Sequence, residues 1–179
     1  MRIDRRVRLG LLTVHLVASV GWVGAAACYL VLGIVAGSSD EPDVVRAAWQ
    51  MLETVGWTVV VPLAVGALVT GVAVSLSTAW GLVRHWWVVV SLVLTSVATL
   101  ITVLHMRDVS ETARRAATAP AEEVLRLGGD VVHPGAGLVV LLVVAVLNVY
   151  KPRGRVLADE TRTDPDRRPP RVAVRDPED

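Results

Sequence analysis

The segment Thr13-Val-His-Leu-Val-Ala-Ser-Val-Gly-Trp22 lies inside an uncharged, largely apolar run that extends over about residues 10–36. A hydrocarbon core of about 30 Å requires roughly 20 helical residues, so this run is long enough to cross a bilayer. His15 is an ionisable side chain at membrane depth, where such groups are costly and commonly functional. The segment therefore predicts a transmembrane helix with one polar position that needs an explanation.

The composition of the whole chain indicates several membrane spans. The 179 residues are 53% hydrophobic, and the mean hydropathy of +0.54 is too high for an ordinary soluble domain. Further apolar runs lie at about 54–76, 86–106 and 131–150. We therefore predict an all-α fold, with a four-helix transmembrane domain over residues 1–151. The tail at 152–179 is rich in proline and mixed charges and is predicted to be disordered.

Helix-start signals indicate that helices 2–4 extend beyond the outer face of the membrane. Pro42 follows two acidic residues and precedes a third, which is typical of a helix N-terminus, so we predict that helix 2 begins there. Thr118-Ala-Pro120-Ala-Glu-Glu123 is a second such signal and predicts that helix 4 begins well before the bilayer. Helix 3 is expected to continue to about Ala117.

The distribution of arginine predicts the orientation. Four arginines precede helix 1, and Lys151-Pro-Arg-Gly-Arg155 follows helix 4, whereas the 37–54 segment has one arginine among four acids. Because cytoplasmic loops have an excess of Lys and Arg, we expect both termini in the cytoplasm and the protein in a bacterial plasma membrane. A cleavable export signal around Arg5-Arg6 is the alternative, but the apolar run continues through Val35 without a break.

One face of helix 1 collects polar, aromatic and small residues. They recur every three or four positions, at His15, Ser19, Trp22, Ala26, Tyr29 and Gly33. A similar stripe in helix 2 contains Thr58, Pro62, Gly66 and Thr70. Membrane helices associate through such residues, so both stripes are expected to face the bundle. His15 is then either a contact between helices, with Ser19 as a hydrogen-bond partner, or a ligand or proton relay.

Two more histidines are predicted to meet near the outer end of the bundle. His105 is about 19 residues from the inner end of helix 3, and His133 is about 17 residues from that of helix 4. Two histidines at one depth on facing helices are the arrangement that holds a haem iron in a bundle. The neighbouring Met106 would also suit copper. Structural contacts at an interface are the competing interpretation.

Asp130 is interpreted as a solvated loop acid, with orientation of the His133 ring as the alternative. Arg114-Arg115 and Glu122-Glu123 are interpreted as a charged solvent face. The candidate cofactor-binding residues are therefore His105, His133 and His15, for haem b or a metal ion. A match to GxxxG at residues 33–37 is weak evidence in so apolar a chain.

These motifs resemble a known family. His15-x-x-x-Ser19-x-x-Trp22-x-Gly24, Leu104-His105-Met106 and His133-Pro-Gly135 are similar to those of an uncharacterised actinobacterial family of predicted integral membrane proteins, over about residues 8–155. That resemblance implies a membrane fold and no assigned activity. More distantly, the helix 1 motif resembles copper-resistance D-type proteins and membrane-bound protoporphyrinogen oxidases. The latter resemblance implies haem.

The leading functional hypothesis is a b-type haem-binding or redox-linked bundle. The alternatives are a non-enzymatic accessory or scaffold subunit and a small transporter. The expected partners are the lipid bilayer and, through the 107–130 hairpin, another copy of the chain or a membrane protein; nucleic acid is not expected. The predicted spans contain no Ser/His/Asp set and no carboxylate pair, so hydrolytic chemistry has no visible support, and the sequence leans away from an enzyme without deciding it.

Overall fold

The computed structural model describes residues 4–77 and 85–150. These residues form six α-helices: α1 (Arg5–Ser38), α2 (Pro42–Val55), α3 (Val61–Ser77), α4 (Trp86–Thr118), α5 (Ala121–Leu125) and α6 (Val132–Tyr150). A π-helical turn, Gly56–Val60, joins α2 to α3. The predicted tail at 152–179 and the boundary at residue 151 lie outside the described residues.

Four helices in the described part of the chain are long and apolar enough to cross a membrane. They are α1, the continuous α2–α3 segment, α4 and α6. Helices α1 and α4 each pack against both α3 and α6. The four spans therefore form a ring in which α1 and α4 lie diagonally opposite each other. The predicted all-α fold with four spans is confirmed. Predicted helix 2 corresponds to α2–α3, helix 3 to α4 and helix 4 to α6.

A second packed layer lies at one end of this bundle. We call it the cap, and it consists of α2, residues 107–118 of α4, and α5. The most deeply buried side chains of the cap come from all three elements and are Val45, Leu52, Val109, Ala116 and Val124. In α2 the buried residues stand at positions i, i+3, i+4 and i+7, which places them on one helical face. The cap is therefore held together by a hydrophobic core of its own.

Arg46 of α2 caps the C-terminus of α4 inside the cap. Its guanidinium group donates hydrogen bonds to the carbonyl oxygens of Ala116 and Ala119, the latter at 2.6 Å. The last carbonyl groups of a helix have no partner within the helix and must find one elsewhere. A cation at this end is also favoured by the helix dipole. This side chain therefore couples α2 to the end of α4.

Helix 4 does not extend into the cap as predicted. The start signal at Pro120 produces only the five-residue α5. Gly128 then adopts a φ of 66°, a left-handed conformation that ends helices and that glycine tolerates. The fourth span begins separately at Val132. By contrast, the predicted start of helix 2 at Pro42 and the extension of helix 3 to about Ala117 are confirmed.

The π-helical turn changes which face of the second span is buried. Thr58 and Pro62, predicted to face the bundle, are exposed, whereas Val60 and Ala64 are buried. A π-helical turn departs from the 3.6-residue period on which the prediction relied. Gly56, the first residue of the turn, lies where a Cβ atom would collide with the sulfur of Met106. The predicted stripe in helix 2 was therefore wrong at its N-terminal end.

The cap core predicts the effect of truncating adjacent residues of α2. Leu52 is 0% exposed and Met51 is 53% exposed. We expect Leu52→Ala to lower the free energy of unfolding by about 2–5 kcal/mol, since the buried side chain leaves a cavity. Met51→Ala, the control, should have a much smaller effect. Thermal unfolding of both variants in one detergent is the measurement, and equal shifts would contradict the buried cap.

Candidate functional site

A glycine-lined contact fixes the loop between α5 and α6. Residues 128–130 pack directly against Gly33 and Gly37 of α1. A Cβ atom on Gly33 would collide with the carbonyl oxygen of Asp130, and one on Gly37 would lie 3.1 Å from the amide nitrogen of Gly129. We call this the glycine contact. The GxxxG motif, which in membranes commonly admits a second helix, here admits the backbone of a loop.

Trp49 holds the same loop from α2. Its buried indole donates a hydrogen bond from Nε1 to the carbonyl oxygen of Gly128 at 3.2 Å. The loop is thus held between α1 and the cap. As a result, Asp130 is brought against the bundle, and only 5% of its side chain is exposed.

Asp130 contacts two histidines that stack on each other. Its Oδ2 accepts a hydrogen bond from Nε2 of His105 at 2.7 Å, and its Oδ1 lies 3.6 Å from Nδ1 of His133. The ring centroids of the two imidazoles are 3.7 Å apart, with an interplanar angle of 17°. One ligand atom from each residue lies within 4.8 Å of the others. We call these three residues the His–Asp–His cluster.

The structure brings together two of the three candidate site residues. His105 and His133 meet as their matched depths predicted, and their role as ligands remains a prediction. The interpretation of Asp130 as a solvated acid was wrong, because the glycine contact draws its loop against the bundle. The available signal was its position three residues before His133, and local sequence does not show which way such a loop turns.

His15 lies apart from the cluster. Its Nδ1 is 3.1 Å from the carbonyl oxygen of Ala67 and 3.2 Å from Oγ1 of Thr70, so its partners are on α3 rather than Ser19. A Cβ atom on Gly71 would come within 3.0 Å of the ring. Gly33 marks the depth of the cluster in α1, because it packs against Asp130. His15 precedes Gly33 by 18 residues, which is about 27 Å along a helix. His15 is therefore too far from the cluster to share an ion with it.

The cluster does not fit a haem iron held between two histidines. In such a centre the macrocycle lies between the rings, which approach the iron from opposite faces. Rings stacked at 3.7 Å leave no space for it. Met106 packs elsewhere, since its sulfur accepts a hydrogen bond from the Tyr29 hydroxyl at 3.8 Å. Its placement with the histidines, suggested for copper, is therefore not observed.

The donor set suits a small metal ion instead. Two imidazoles and one carboxylate are a common ligand set for divalent first-row metals. With metal–ligand bonds of about 2.0–2.1 Å, the ligand atoms of a tetrahedral site are about 3.3 Å apart. The two nitrogen–oxygen distances in the cluster, 2.7 and 3.6 Å, lie on either side of that spacing. These two distances involve different oxygens of Asp130, and the stacked imidazoles would have to rotate so that both nitrogen lone pairs point at one ion.

The glycine contact predicts different outcomes for two glycines of α1. Gly33→Ala should lower the free energy of unfolding by about 1–3 kcal/mol, because overpacking forces the Asp130 backbone away from α1. A Cβ atom on Gly24 would have no neighbour within 4 Å, so Gly24→Ala is the control and should not destabilise the fold. Thermal unfolding in detergent compares the two. An unaffected Gly33→Ala variant would show that the loop does not pack on α1.

The chain matches a known protein family over most of its length. The matching family is described as "Predicted integral membrane protein (DUF2269)", and the match covers residues 9–152. No curated protein and no solved structure matches the chain. The family assignment agrees with the four apolar helices. The chain therefore belongs to the DUF2269 family of predicted integral membrane proteins.

Proposed function

We propose that this membrane protein binds a divalent transition-metal ion at the His–Asp–His cluster. The observation that supports the proposal is the convergence of three ligand groups from α4, α6 and the loop held by the glycine contact. Each oxygen of the buried Asp130 carboxylate faces an imidazole nitrogen. A buried carboxylate needs a compensating charge, which a bound cation supplies. The cluster thus brings one carboxylate and two imidazoles together as candidate donors.

The donors indicate which ions the site would take. Imidazole nitrogen suits Zn²⁺, Cu²⁺, Ni²⁺ and Fe²⁺, whereas Ca²⁺ and Mg²⁺ prefer oxygen ligands. His133 is the donor most exposed to solvent, with 51% of its side chain exposed. Three protein ligands would leave a further coordination position for water. We therefore favour an exchangeable transition-metal site that opens to the solvent.

The metal proposal retains part of the redox hypothesis, and the burial of the 107–130 segment argues against the scaffold hypothesis. A copper or iron ion in the cluster would be redox-active, whereas haem b would require the two rings to separate. The 107–130 segment buries its apolar residues Val109, Ala113, Ala116 and Val124 within the cap. Among its exposed charges, Glu111 is hydrogen-bonded to Arg114 and Arg115. Little of its apolar surface is thus left for a partner.

Zinc binding to the purified full-length protein in mild detergent tests the proposal. The wild-type chain should hold about one ion, because the three donors form one tetrahedral face. His105→Ala, His133→Ala and Asp130→Asn should each weaken binding at least tenfold, since each removes a ligand or its charge. His15→Ala is the matched control and should keep one ion. Titration calorimetry and metal analysis of each variant are the measurements.

A wild-type chain that binds no zinc at micromolar free ion would refute the metal proposal. An absorption spectrum before and after reduction with dithionite distinguishes bound haem from a bound metal ion. A Soret band that sharpens on reduction and disappears in His105→Ala would favour haem b instead. Zinc bound equally well by all three ligand variants would place the ion elsewhere.

We also infer that the cap lies on the outer side of the plasma membrane and that both termini are cytoplasmic. The inference rests on the arginines before α1 and after α6. Cys28 is the only cysteine, so Cys28→Ser gives a background for single labels. In intact cells, an impermeant maleimide should label Thr118→Cys, in the cap, and not Ala158→Cys, in the tail. The reverse pattern would invert the orientation.

A further inference from the structure

Asp108 lies near the second nitrogen of the His105 ring. The carboxylate oxygen Oδ2 of Asp108 is 4.0 Å from Nδ1 of His105, and the Asp108 side chain is 84% exposed. On the other edge of the ring, Nε2 of His105 contacts Asp130 at 2.7 Å. The two nitrogens of this imidazole therefore each face a carboxylate, one exposed and one buried.

Metal binding through Nε2 would change which nitrogen of His105 is protonated. An ionised carboxylate only accepts hydrogen bonds, so Nε2 is the protonated atom in its contact with Asp130. A metal ion binds a nitrogen lone pair, and the lone pair that faces Asp130 is that of Nε2. On metal binding the proton would have to leave Nε2, and in a neutral ring it would move through solvent to Nδ1. The number of protons and electrons on the ring is unchanged.

The Nδ1–H group created in this way requires an acceptor. Asp108 is one helical turn further along α4, and its exposed side chain is free to rotate toward the ring. Closing the gap from 4.0 Å to about 2.8 Å would form a charge-assisted hydrogen bond. Metal-ligating histidines commonly donate their other ring N–H to a carboxylate, which fixes the tautomer and the orientation of the ring.

We propose that Asp108 is a positioning residue for the metal ion at the His–Asp–His cluster. It accepts the hydrogen bond from Nδ1–H of His105 and thereby stabilises the tautomer that ligates through Nε2. This inference rests on the proposed metal-binding function. In the metal-free protein an exposed pair of this kind contributes little to stability. A positioning role thus affects metal affinity and leaves the stability of the metal-free fold almost unchanged.

Zinc affinities of three variants of the full-length protein test this role. Asp108→Ala should weaken binding by about 10–100-fold, the usual effect of removing such a partner. Asp108→Asn should recover most of the affinity, because the amide oxygen still accepts a hydrogen bond. Glu111→Ala removes the same charge one turn further along α4, where Glu111 pairs with Arg114 and Arg115, and should leave the affinity unchanged.

Nitrogen-15 spectra of histidine-labelled protein give an independent readout. In the zinc-bound wild type, Nδ1 of His105 should be protonated and protected from exchange, and Asp108→Ala should lose that protection. Equal losses of affinity in Asp108→Ala and Glu111→Ala would indicate a general charge effect and overturn the role of Asp108. So would an unchanged affinity in Asp108→Ala while the wild type binds zinc. A wild type that binds no zinc would refute the metal proposal itself.

Discussion

The backbone contact between residues 128–130 and the two glycines of α1 is the constraint on which the rest of this site depends. Polar backbone groups of a loop approach a helix this closely only where no Cβ atom intervenes. The contact closes the cap over the bundle, since Trp49 binds the same loop from α2. It also places the Asp130 carboxylate beside both histidines. The fold and the proposed chemistry therefore both depend on this single contact between a loop and a helix.

Two kinds of packing meet at this point. The spans associate through small residues such as Ala18, Ala26, Ala64 and Ala67, as expected where lipid offers no hydrophobic drive between helices. The cap instead buries larger apolar side chains such as Leu52 and Val124. If the cap lies in water, as we propose, the hydrophobic effect stabilises it directly. Helix α4 runs through both regions, so His105 is attached to a rigid element shared by the bundle and the cap.

An ion at the cluster would connect these regions energetically. Its ligands come from α4, α6 and the loop bound to α1, so binding would restrict the relative movement of all three. A ligand that binds only the folded state stabilises it in proportion to the logarithm of its concentration over its dissociation constant. Metal occupancy would therefore stiffen the end of the bundle where the cap joins it. The distant His15, bonded to α3, would be unaffected by that change.

The sequence alone determined the features that depend on composition and local periodicity. These are the four spans, the start of α2 at Pro42, and the buried face of α1, where Trp22, Ala26, Tyr29 and Gly33 are buried as predicted. It also placed His105 and His133 at one depth, because residues counted along antiparallel helices translate directly into height. The functional roles of these histidines are not determined by that count.

Only the tertiary structure decided the features that depend on contacts between distant segments. The burial of Asp130, the partners of His15 and the packing of Met106 against Gly56 join residues more than 25 positions apart. The π-helical turn similarly shifts the buried face of the second span. A local pattern records which face of an element is apolar, and it does not record what another segment will place against that face. The glycines of α1 match a motif for contact between two helices, but in the structure they contact the backbone of a loop.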